Sequence, residues 1–194
     1  MQEEPTGVGG GSPFIKNSGK ETAMGYSALD ISKYIINKCT VEHGAVSNLQ
    51  LQKILYYIQK LFLQNGLMAF DDDFEAWQFG PVVPSVYNRY SSFGGTPIRL
   101  KYNISLNENY KDIIDPIVTE KRNLEPWVMV DDIHRPGKAW DKVYGDGEGN
   151  HHIISTPVYA VAGETDVEKW GYDPYKGNKI TGTVSQNENA NGYR

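Results

Sequence analysis

The stretch "SNLQLQKILYYIQKLFLQNG", Ser47 to Gly66, constrains this chain more than any other. Leu51, Ile54, Leu55, Ile58, Leu61 and Phe62 recur at three- and four-residue spacing, which lines one face of an α-helix with apolar side chains. Ser47 and Gln50 stand three apart at its start, a capping box in which each side chain satisfies the other residue's free backbone amide. Gly66 marks the stop. Tyr56 and Tyr57 widen the stripe, so the helix is expected to be central and touched on more than one side. Its polar positions, Gln50, Gln52, Lys53, Gln59, Lys60 and Gln64, are expected to face water.

The flanking elements follow from similar local signals. In "YSALDISKYIINKCTVEHG", Ser27 and Asp30 form a second capping box, Ala28, Ile31, Ile35 and Cys39 share a face, and Gly44 ends the element. Gly80-Pro81 and Pro84 exclude a helix through "LMAFDDDFEAWQFGPVVP". Phe74 to Phe79 reads as a short strand, and Pro84 suits the first turn of a third helix that carries Val86, Tyr87 and Tyr90 and stops at Gly94-Gly95. "PIRLKYNI" reads as a second strand paired with the first. "SLNENYKDII" opens a helix with Ser105 and Glu108 as its box, and Asp115-Pro116 is expected to break or restart it. "EPWVMVDDIH" and "GKAWDKVY" read as two short helices anchored by Trp127, Val130, Ile133, Trp140 and Val143, and "ISTPVY" as the start of a last one. The expected architecture is mainly α: a single compact helical domain, residues 26–159, with a short β-hairpin. Residues 1–25 read as a flexible N-terminal tail and residues 160–194 as a polar C-terminal tail, with a short extended piece at "KITGTV".

Composition removes several function classes. A length of 194 residues with 39% hydrophobic content is enough for one domain-sized core. The net charge of -5 gives no long-range pull toward nucleic acid or an anionic membrane, and the longest basic run is Lys121-Arg122. The two helices across "VEHGAVS" could pass for a helix-turn-helix, but the second offers glutamine and lysine with few arginines, which argues against base readout and a nucleic-acid partner. Cys39 is the single cysteine, so no internal disulfide can form, and its place on an apolar face reads as core filler. The chain begins without a basic stretch and apolar run, and no window approaches the roughly 18 apolar residues of a membrane span. The expectation is a soluble, cytoplasmic protein without a membrane partner.

No catalytic constellation is visible. His43, His134, His151 and His152 do not form an HExxH helix, and Asp71, Asp72 and Asp73 read as a solvated turn, so neither a metal nor another cofactor is expected. There is no GxSxG, and "GVGGGSP" lacks the Lys-Ser/Thr of a phosphate loop. The chain is therefore read as a non-enzyme. Its aromatic share is high, 12%, and one segment concentrates it: "FEAWQFGPVVPSVYNRYSSFGG". Tyrosine and tryptophan are enriched at protein interfaces because they bury large areas while keeping a polar tip. Gly80, Pro81, Val82, Val83 and Pro84, with Tyr87 and Tyr90, are expected to form or directly support a partner contact, since a stiff Gly-Pro joint has little entropy left to lose on docking. Trp77 and Phe79 stand between two roles, core or interface, and the high average burial of large rings favours closure of the core over the second helix.

Four blocks in order, "SNLQLQKILYYIQ", "FDDDFEAWQFGPVVPSVY", "FGGTPI" and "IHRPGKAWDKVY" followed by "IIS", resemble the Panacea domain, the SocA-like, phage-associated antitoxin family, over roughly Leu29 to Ser155. Gln52, Lys53, Tyr56, Trp77, Phe79, His134 and Trp140 fall at the motif positions. Ile133 and the basic Arg135-Pro136-Gly137-Lys138 depart from the threonine and the acidic or polar linker of the family pattern. The resemblance implies a mostly helical antitoxin that neutralises a protein toxin by direct contact. A second reading is a proteolytic adaptor that hands a partner to a protease. A third is a small metal-dependent hydrolase using Asp71 to Asp73 with His134.

Overall fold

The computed structural model describes residues 14–17, 20–23, 25–64 and 67–155. Within the segment read as an N-terminal tail, β1 (Phe14–Asn17) and β2 (Lys20–Ala23) pair antiparallel. The Gly66 stop, "GVGGGSP", "KITGTV" and the C-terminal tail from residue 160 lie outside the described residues.

Two helices set the frame. α1 spans Ala28–Val41 and α2 spans Asn48–Gln64. Both capping boxes form: Ser27 with Asp30, and Ser47 with Gln50, where Gln50 donates its amide to Ser47 Oγ at 3.3 Å and accepts from the Ser47 amide at 3.1 Å. α1 buries Ala28, Ile31, Ile35, Ile36 and Cys39 against α2. α2 is central, packed by α1 and, as described below, by α3, α4, α5 and β4.

That enclosure corrects one expectation. Gln52, Lys53, Gln59 and Lys60 do not face water but are buried, because no side of α2 is left open. A buried polar group is tolerated when it finds partners. Gln59 Oε1 accepts from the Ala69 amide at 2.9 Å, and its Nε2 donates to the Phe70 carbonyl at 3.0 Å, which ties down the loop after α2. Gln52 Oε1 accepts from the Val83 amide at 2.9 Å.

The sheet has the order β4-β3-β5 and is antiparallel throughout, with β3 at Phe74–Trp77, β4 at Gly80–Val82 and β5 at Ile153–Ile154. β3 alternates faces: Phe74 and Ala76 point into the core, Glu75 and Trp77 outward. The expected strand at "PIRLKYNI" does not form. Ile98 is buried with its amide on the Val46 carbonyl, and Asn37 clamps Tyr102 by donating to its carbonyl at 2.7 Å and accepting from its amide at 2.8 Å. Those contacts tie the segment to α1 and its following loop instead of to β3. At the start of "ISTPVY", Ile154 pairs with Phe74 in a strand, and residues 156–159 of that expected helix lie outside the described residues.

α3 spans Pro84–Tyr90, with Pro84 in its first turn, and a 3-10 turn at Ser91–Phe93 follows it. α4 runs unbroken over Glu108–Lys121 with Pro116 inside, and its N-cap is Asn107, whose side chain accepts from the Tyr110 amide, not Ser105. An interior proline costs about 3 kcal/mol. Burial of Ile113, Ile114, Ile117 and Val118, at roughly 1.5–3 kcal/mol for each such side chain, holds the helix through it. α5 (Pro126–Ile133) and α6 (Ala139–Tyr144) are the two expected short helices. Val130, Ile133 and Trp140 anchor them, but Trp127 is exposed. No helix of the described residues is long and apolar enough to cross a membrane.

Candidate contact surface

The seven motif positions converge on one place, the β3–β4 hairpin. Its turn residues are Gln78 and Phe79, and Gly80 completes it at φ +98°, a conformation that side-chain-bearing residues rarely adopt. Phe79 and Gln78 project from the tip, while Gly80 and the residues after it are drawn inward.

Three side chains hold the hairpin from beneath. Trp140 Nε1 donates to the Trp77 carbonyl at 2.9 Å on the incoming strand. Lys53 Nζ donates to the Pro81 carbonyl at 3.0 Å on the outgoing strand. Gln52 takes the Val83 amide as the chain enters α3. Tyr56 sets its ring edge-on to Phe74 with centroids 5.7 Å apart. His134, at the end of α5, stacks on Trp140 at 3.6 Å with the rings 3° from parallel, and Trp140 stacks in turn on Tyr144. A Cβ added to Gly80 would lie 2.8 Å from Lys53 Nζ and 3.7 Å from His134 Nε2, so the amine and the imidazole flank the same glycine.

This underside is nearly dry. Lys53 is 0% exposed, and burial pushes its ammonium down to about 7. Burial also lowers His134, with the Lys53 charge as a second cause. His134 Nε2 is buried and makes no hydrogen bond.

The outer side is aromatic. Phe79 is 49% exposed and Trp127 on α5 54%, and their rings meet edge to face with centroids 5.5 Å apart. Val128 beside Trp127 is exposed as well. Across the sheet, Trp77 packs on Tyr87 at 4.8 Å and on His151 at 4.5 Å, and Glu75 accepts from Trp77 Nε1 and contacts His151 Nδ1. Ile153, paired with Glu75, extends this face at the sheet edge.

Most of the residues expected to form or support a contact lie beneath the surface. Gly80, Pro81, Val82, Val83 and Tyr90 are buried, and Pro84 is half-buried. They form the support of the face, not its outer layer. Tyr87, 37% exposed, is the residue of that set that reaches the surface. Phe79 does not close the core over α2, and Trp77 does so only in part. Trp127, expected as an apolar anchor, faces outward together with Val128. The acidic turn has a structural use: Asp72 accepts from the Ala28 amide at 2.8 Å at the start of α1 and from Ser85 Oγ at 3.3 Å. Among the described residues no three His, Cys, Asp or Glu side chains group in a way that could hold a metal ion.

The helical domain thus displays an aromatic hairpin tip clamped from below by α2, α5 and α6. Residues 51–141 match the family model described as Antitoxin SocA-like, Panacea domain. Over 68 residues the chain is 38% identical to Antitoxin SocA of Caulobacter vibrioides (strain NA1000 / CB15N), a stretch that covers 34% of this chain and 36% of that protein. The match thus spans about a third of the length of that curated relative. No solved structure matches the chain. The segment 51–141 is thus similar to the SocA-like Panacea domain, on a match that takes in every motif position from Gln52 to Trp140.

Proposed function

We propose that this protein is an antitoxin that neutralises a partner toxin by direct protein contact, without catalysis of its own, and that the face around Phe79, Trp127, Trp77 and Tyr87 makes the contact. The match of residues 51–141 to the SocA-like antitoxin family supports the antitoxin role. The observation that carries the choice of face is the exposed Phe79–Trp127 pair on a hairpin fixed from beneath. Rings of this kind dominate binding energy when a partner covers them, and a fixed pose removes the ordering cost of docking. The test is growth of cells that co-express this chain with the product of the adjacent reading frame. Rescue from a product that is toxic alone supports the proposal, and undiminished toxicity at equal expression contradicts it.

A further inference from the structure

Lys53 is the least expected group in the molecule. Its amine is fully buried, its hydrogen bond goes to a neutral backbone carbonyl, and no carboxylate among the described residues pairs with it. Buried lysines are rare unless paired, because desolvating an ammonium costs several kcal/mol. We propose that Lys53 and His134 form a proton-sensitive latch under the contact face, which fixes the β3–β4 turn while the Lys53 amine is uncharged and loosens it when the amine takes up a proton.

The geometry supplies each part. The uncharged amine still donates to Pro81 and fills the space that a side chain at position 80 would need. A proton from solvent adds a charge that nothing opposite can balance. From β4 the amine faces only glycine and proline backbone. From the end of α5 it faces His134, whose own charge would repel it; Asp131 and Asp141 act on that imidazole, from α5 and α6, as attracting charges. The other charged side chains near α2 are engaged elsewhere: Asp132 with Tyr57, Lys138 and Arg135, and Lys121 with Glu120 and over the Tyr57 ring. A charged Lys53 is relieved only by water, and Gly80, which packs on the amine, has no side chain to keep water out. Movement there passes along the strand to Phe79 on one side and through His134 and Trp140 to the Trp77 carbonyl on the other.

The use of this latch rests on the face being the contact site, but its operation is read in the free protein. Lys53 ¹³Cε and the backbone amides of Gly80 and Val82 are followed by NMR in the full chain, from about pH 5.5 to 9. A His151→Gln background removes the imidazole that touches Trp77. The expected result is one transition near pH 7, shared by the lysine carbon and both amides, and absent from the amides of Lys53→Met. Lys53 titrating above about pH 9, or amides that do not move with it, overturns the latch. If Lys53→Met fails to fold, the coincidence or separation of the midpoints in the parent chain decides alone. A chain that titrates as expected yet rescues no toxin leaves the latch standing and removes the contact reading.

Discussion

Lys53 reaches the Pro81 carbonyl from a position that water does not touch, and a glycine one residue earlier leaves just enough room for its amine. The pose of the exposed hairpin tip is therefore set by a residue of the central helix, and the consequences can be measured.

Gly80→Ala should be strongly disruptive. The new Cβ would sit 2.8 Å from Lys53 Nζ, and φ +98° is strained for any residue with a side chain. Such strain costs about 1–3 kcal/mol before the clash is added. Urea unfolding should show at least that loss, while Gly94→Ala, at a positive φ but with open space around it, should lose less.

Stability should rise as pH increases from neutrality. Lys53 holds its proton to about 7 in the fold but to 10.5 in a free side chain, so between these values the unfolded chain binds a proton that the native chain does not. The sign is a gain in stability with rising pH, by up to about 1.4 kcal/mol per unit for one such group. Urea midpoints at about pH 7 and 8 should differ in this sense, and the difference should vanish in Lys53→Met. At higher pH the buried Cys39 thiol, raised to about 11, pulls the other way, because it ionises more readily in the unfolded chain.

Surface and support should separate cleanly. Phe79→Ala and Trp127→Ala remove exposed rings and should change unfolding free energy by less than about 1 kcal/mol. Tyr90→Ala removes a fully buried ring and should cost about 3–5 kcal/mol. Comparable losses for all three would mean that the hairpin tip is core.

Asp72→Ala should cost about 1 kcal/mol through the lost acceptor at the start of α1. Chelation should leave the melting temperature of the parent chain unchanged, and a clear drop on chelation would point to a metal at the acidic turn after all.

Much of the fold is written locally. Ser27 with Asp30 and Ser47 with Gln50 announce helix starts because capping is settled within four residues. Phe74 to Trp77 alternates as a strand should. What was not legible depends on distant partners. Lys53 and Gln59 look solvent-facing on a helical wheel, and only enclosure by elements as distant in sequence as α5 buries them. β5 exists because Ile154 meets Phe74 across the chain, which no local signal encodes. Ser105 and Asn107 both offer a cap, and Asn107 prevails by reaching the Tyr110 amide. The motif residues are visible in sequence, but the outward pose of Phe79 depends on a turn that Gly80 completes at φ +98°. That conformation aims Phe79 away from the core while Val82 and Val83 go inward.

The most direct test is the double variant Phe79→Ala/Trp127→Ala, assayed for rescue of growth against the toxin that the parent chain neutralises. Loss of rescue is expected, with binding weakened by more than about 2 kcal/mol and thermal unfolding within a few degrees of the parent. Full rescue by a folded double variant would contradict the assignment of this face.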